Sequence, residues 1–234
     1  MEMQYNREPK QRNVVRTINC ATAAEAVGEI YPGCEIFGMF KGQFSLIELI
    51  EWILVQTGPA SLVVSTWTAA SGDILHLRHL IENGDIIQAK WMLDASFPHR
   101  QPGFAEMICE KFGQDNVRFT SNHSKFVLFR NAKWNIVLRT TANLNNNRRL
   151  ESYEISDDQN LLGFLAKIAK STFEEGATLD ECFDHPKAAF LTIDNVCGLT
   201  QYRQQEILFN ENPPERLVSY AQPKNIRYGG GRNG

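Results

Sequence analysis

The chain has 234 residues, 43% of them hydrophobic and 22% charged, with a formal net charge of −3. That length suits one globular domain with extensions, or two small domains, and supplies enough apolar material for a real core. Near-neutral bulk charge excludes a protein that binds nucleic acid through its overall field, so any basic surface has to be local.

The segment MEMQYNREPKQRN is polar and charged. It reads as a frayed end without the apolar h-region of a secretory signal. Residues 34–40 (CEIFGMF) read as a short strand. In SLIELIEWILVQ, residues 45–56, Leu46, Leu49, Ile50 and Ile53 recur at helical spacing, and Thr57-Gly58-Pro59 ends the helix. Residues 61–68 (SLVVSTWT) are apolar and β-branched, the pattern of a buried strand. Ser71 is placed to cap a helix carrying Ile74, Leu75, Leu77, Leu80 and Ile81, which Asn83-Gly84 closes. A strand over 86–93, a helix over 104–112 stopped by Gly113, and a strand from 117 to 120 follow.

This alternation is the grammar of an α/β layer with a largely parallel sheet. The grammar then changes. Residues 125–130 and 135–141 are apolar runs joined by Asn131-Ala132-Lys133-Trp134, a β-hairpin pattern. Residues 150–155 suggest one more strand, and 161–173 an amphipathic helix. Beyond Gly176 the signal weakens to an apolar stretch at 188–193, Pro213-Pro214 and a tail ending GGGRNG, expected to be flexible. There is no internal repeat.

Five cysteines occur, Cys20, Cys34, Cys109, Cys182 and Cys197, with no CxxC pair. An odd number without paired spacing fits neither a disulfide framework nor a zinc knuckle. Cys182 and His185 lie three apart, but no second ligand pair accompanies them, so no metal site is expected. No run of eighteen apolar residues is present, so no membrane span is expected. The expected setting is the cytoplasm.

Positive charge is concentrated. Residues 116–150 hold seven Lys or Arg and no acid, whereas 151–184 hold nine acids and two lysines. The basic block reads either as an anion-binding face or as a solvated hairpin. Inside it lies His123-x-Lys125. Eighteen residues after Lys125 comes Asn143, within Thr140-Thr141-Ala142-Asn143, and eleven further on is Glu154. Alternation on a strand would turn His123 and Lys125 to one sheet face, and the returning hairpin would bring Thr141 and Asn143 beside them. Those groups suit a phosphoryl centre. Lys and Asn hold its oxygens, His attacks phosphorus, and a Glu orients the imidazole.

On these residues the chain resembles the phospholipase D superfamily, in its form with a single HxK motif per chain. His123, Lys125, Asn143 and Glu154 match that pattern in type and spacing. Thr141 stands for the usual serine, Thr140 for the glycine, and Arg130 for the aspartate. The resemblance covers roughly residues 30–176. It implies an α/β fold with a mixed β-sheet flanked by helices, an N-terminal extension over 1–30, the phospholipase D-like domain over 31–176, and a C-terminal extension with a flexible tail over 177–234.

It also implies a metal-independent phosphodiesterase without a cofactor, working through a phosphohistidine. His123, Lys125, Asn143, Glu154 and Thr141 would be catalytic. That chemistry needs two histidines, and His76, His79, His99 and His185 stand in no HxK context, so the implied enzyme is a homodimer sharing one site. The expected substrate is DNA or RNA, cut by a nuclease of endonuclease or exonuclease type. From the residues themselves, Arg130, Asn145, Arg148 and Arg149 are the candidates to contact the strand, and the polar run 143–149 reads equally as a solvated turn. The alternatives are a catalytically inactive nucleic-acid-binding or scaffolding protein on the same fold, and a hydrolase of lipids or small phosphodiesters. Trp67, in a buried strand, reads as packing; Trp134 reads either as packing or as a surface for bases.

Overall fold

The computed structural model describes residues 13–16, 20–145, 148–186 and 189. The first dozen residues, Asn146, Asn147 and the predicted flexible tail lie outside them. In chain order the elements are β1 (Asn13–Arg16), α1 (Ala23–Val27), β2 (Glu35–Phe40), α2 (Leu46–Thr57), β3 (Ala60–Thr66), α3 (Ser71–Glu82), β4 (Ile86–Asp94), α4 (Phe97–Arg100), α5 (Pro102–Phe112), β5 (Val117–Thr120), β6 (Phe126–Arg130), β7 (Asn135–Thr140), β8 (Glu151–Asp157), α6 (Gln159–Glu175) and α7 (Leu179–Asp184).

The strands form one eight-stranded mixed sheet in the order β1-β2-β8-β7-β6-β3-β4-β5. β3, β4 and β5 run parallel, linked through helices, as the alternating pattern implied. β6, β7 and β8 form an antiparallel meander that joins β3 on one side and β2 on the other. The core therefore draws on more chain than residues 31–176. β1 adds a parallel edge strand, and Ala23, Val27, Leu179 and Cys182 of α1 and α7 enter the larger apolar cluster. Among the described residues no helix is long and apolar enough to cross a membrane.

Local chemistry explains the helix boundaries. Ser45 and Glu48 form a reciprocal capping box at the start of α2, whose buried face carries Leu46, Leu49, Ile50 and Ile53. Gly58 ends that helix at φ +82°, a conformation other residues rarely adopt. The predicted cap at Ser71 is not formed. α3 begins at Ser71 itself, and Ala70 holds the cap position without a side-chain bond. Asp158 starts α6 by accepting from the amides of Asn160 and Leu161.

Helices cover both faces. Val127, Phe129, Leu138 and Ile155 face the larger cluster, with residues of α1, α2, α3 and α5. Phe126, Leu128 and Val137 face the smaller one, with Leu161, Leu162 and Ala169 of α6. These alternate positions fix which side every neighbouring residue occupies.

Candidate active site

The strand order creates the site. β5 lies at one edge of the sheet, yet the next strand, β6, pairs with β3 on the far side of β4. Residues 121–125 must therefore cross the C-terminal ends of β4 and β3, the place where open α/β sheets bind ligands. β7 returns to the same end, so the segment after it arrives there too.

A buried polar network holds the crossing loop. The amide of Asn122 donates to Asp94 Oδ2 at 3.0 Å. Asn122 Nδ2 donates to Ser65 Oγ at 3.0 Å and to the Met92 carbonyl at 3.1 Å. Asn122 Oδ1 accepts from the Ser124 amide at 3.0 Å and the Ser124 hydroxyl at 2.6 Å. Asp94 also accepts from the amide and hydroxyl of Ser96. Asp94, Asn122 and Ser65 are buried, so a partner lost here leaves a desolvated polar group. Sequence reasoning missed these residues. Their only signal was polar residues at the ends of otherwise apolar runs.

His123 and Lys125 stand in this loop, before β6 begins, and not on a strand as alternation predicted. They meet because the lysine folds back. Lys125 Nζ donates to the His123 carbonyl at 2.9 Å and lies 3.2 Å from Nδ1 and 3.4 Å from Nε2 of the ring. His123 is exposed and Lys125 half-buried. Burial pushes the Lys125 ammonium below the usual lysine range, against the carboxylates of Glu151 and Asp94, which raise it. A cation short of water is predisposed to an incoming anion.

Asn143 joins from the segment after β7. The Ala70 amide donates to the Leu144 carbonyl at 2.7 Å, tying this segment to the chain leaving β3. Asn143 Oδ1 accepts from Thr66 Oγ1 at 3.4 Å, which leaves Nδ2 as the end of the amide that can serve an anion. His123, Lys125 and Asn143 thus gather where β3 ends.

Other predicted residues are placed differently. Glu154 pairs with Arg139 across β7 and β8, in register with Phe126, so it lies on the α6 face, opposite Lys125. The carboxylates acting on Lys125 are Glu151 and Asp94. The Thr141 hydroxyl donates to Glu151 and accepts from the Ser152 amide, so it braces the β7–β8 turn. Arg130 ends β6 opposite Ser61, at the start of β3; five residues of strand put it roughly 16 Å from Lys125. Asn145, Arg148 and Arg149 fall in the β7–β8 connection, at the same end of the sheet as Asn143, with both arginines exposed.

The remaining histidines have partners elsewhere. His76 Nε2 sits 2.6 Å from Glu51 Oε1, and His79 is 3.2 Å from Asn83 Nδ2. His99 Nε2 reaches the Cys182 carbonyl at 3.0 Å, and His185 lines an acidic cavity with Glu174, Glu175 and Glu181.

No family model matches the chain, and no curated protein matches it in sequence. Among solved structures it is similar to Nuc from Salmonella typhimurium, described as a phospholipase D family member, at 14% identity and TM-score 0.45 over 62% of this chain and 96% of that one. It is similar to NucT from Helicobacter pylori at 11% identity and TM-score 0.47, over 62% and 99% of the two chains. It is also similar to phosphatidylserine synthase from Haemophilus influenzae at 18% identity and TM-score 0.47, over 75% of this chain and 46% of that one.

An exposed imidazole, a half-buried ammonium and an amide, gathered at the open end of a sheet, can bind a tetrahedral anion and attack it.

Proposed function

We propose that the protein is a phosphodiesterase that hydrolyses nucleic acid through a covalent histidine intermediate, without a metal ion, in a homodimer. The observation that carries this reading is the convergence of His123, Lys125 and Asn143 at the C-terminal end of β3. A ring nitrogen of His123 attacks phosphorus, forming a P–N bond as the bond to the leaving oxygen breaks. The partner's His123 gives that oxygen a proton. It then takes one from water, whose oxygen attacks phosphorus and breaks the P–N bond, regenerating both rings. Lys125 and the Asn143 amide hold the non-bridging oxygens, and Glu151 and Asp94 keep Lys125 in place.

The test is cleavage of labelled single- and double-stranded DNA and RNA in EDTA, beside His123→Ala. Cleavage that survives the chelator and vanishes in the variant supports the reading; a wild type that cuts none of these substrates overturns it. A second reading, binding without hydrolysis, draws on the placement of Glu154 across the sheet and on the engaged Thr141 hydroxyl. Retention of DNA in a native gel without cleavage would favour it.

A further inference from the structure

Trp67 breaks the pattern set by the other tryptophans. Trp91 is buried in the larger apolar cluster, and Trp52 and Trp134 pack against it. Among the described residues Trp67 packs against neither cluster. The expectation that it fills a buried strand fails for a local reason. β3 ends at Thr66, so Trp67 lies just past the strand, partly exposed between buried Thr66 and buried Thr68.

The ring is nevertheless held. The Arg100 guanidinium lies over it, 3.8 Å from the ring centroid. Arg100 donates from a terminal nitrogen to the Trp67 carbonyl at 3.1 Å and from Nε to Ser96 Oγ at 3.0 Å. Ser96 in turn donates to Asp94, the carboxylate that anchors the His123 loop. Trp67 and His123 are therefore fixed to the same buried group. Their ring centroids are 5.7 Å apart, with planes tilted by 58°. That spacing is of the order of the span between a phosphate and the base of its own nucleotide.

The geometry points to Trp67, backed by Arg100, as a stacking platform for an unpaired nucleobase beside the phosphate that His123 attacks. This rests on the phosphodiesterase reading and deepens it, naming the substrate as single-stranded nucleic acid. A paired base presents its edge and not its face, so a duplex would have to open to use the platform. Any base can stack on indole, so the site would tolerate sequence. Arg100 adds positive charge without taking part in the chemistry.

The test measures binding and cleavage with the full chain. Binding is followed in His123→Gln through quenching of tryptophan fluorescence by a single-stranded oligonucleotide, by an abasic strand of equal length, and by the duplex. We expect the base-bearing strand to quench and to bind more tightly than the other two. Adding Trp67→Ala should remove the quench and weaken binding of that strand about ten- to hundredfold, with binding of the abasic strand unchanged. Trp67→Phe should recover part of the affinity. In the active enzyme, Trp67→Ala should lower kcat/KM on the base-bearing strand only. Equal losses on base-bearing and abasic strands, or equal binding of duplex and single strand, would overturn the platform. Quenching by base-bearing strand without cleavage by the wild type would leave the platform standing and sink the hydrolytic reading.

Discussion

Lys125 is where burial and charge oppose each other. Burial outweighs the two carboxylates and lowers its pKa, so the charged lysine costs the folded state stability at neutral pH. The sign follows from proton counts. Below the lowered folded value the cost is complete, and it fades as pH rises from there to the ordinary lysine range, where the unfolded chain also loses the proton. Lys125→Met should therefore raise the melting temperature at pH 7 and abolish cleavage. The gain should shrink as melting curves are taken toward pH 10. A variant equally inactive but less stable at pH 7 would mean that Lys125 is structural. Asn122→Ala should behave in the opposite sense. It removes the side-chain amide that bonds Ser65, the Met92 carbonyl and Ser124, while the backbone amide at this position still serves Asp94, and should cost roughly 1–3 kcal/mol in chemical denaturation. Because the loop carries His123, kcat should fall while KM changes little.

At the scale of strands, parity decides which carboxylate serves the site. Glu151 and Glu154 are an odd number of residues apart on β8, so they face opposite sides, and pairing register assigns Glu151 to the side of Lys125. Glu154→Gln should leave cleavage within about twofold and stability within about 1 kcal/mol, because the Arg139 guanidinium it pairs with is half-exposed to solvent. Glu151→Gln should lower cleavage at least tenfold. Kinetics on the two single variants separate these outcomes, and the reverse ranking would return Glu154 to the site.

This distinction was not legible in the sequence, because spacing fixes separation along the chain while register fixes the face. Long periodic elements were legible: α2, α3, α6 and the hairpin of β6 and β7 announce themselves through repeated apolar positions. α1, α4 and α7 are four to six residues long, too short to show a period. The spacing points to the convergence of His123, Lys125 and Asn143, but alternation reads the loop that delivers the first two as strand. Close packing adds a further test within the sheet. Tyr153 lies across Gly38 of β2 and donates to the Ala26 carbonyl at 3.1 Å, tying α1 to the sheet. A Cβ at Gly38 would meet the Tyr153 ring. Gly38→Ala should therefore cost roughly 1–3 kcal/mol, read from urea denaturation, although two strands separate β2 from β6.

The whole molecule sets the last requirement. Hydrolysis through a phosphohistidine needs one ring to attack and another to move the proton, and each chain brings only His123 to the end of β3. The other four histidines are engaged on helices or line the cavity beside α7. A two-fold axis beside the site would supply the missing ring, since it presents the same residue twice. Mixing makes this quantitative. If wild-type and His123→Ala chains are unfolded together and refolded, random pairing leaves about one quarter wild-type homodimers at equal amounts. Mixed dimers retain one His123 and cannot complete both proton and phosphoryl transfer. Activity should then follow the square of the wild-type fraction, falling to about one quarter at equal mixing where autonomous chains would give about one half. A linear dependence, together with a monomer by analytical ultracentrifugation at the assay concentration, would remove the shared site and require the proton to be moved by a group within one chain.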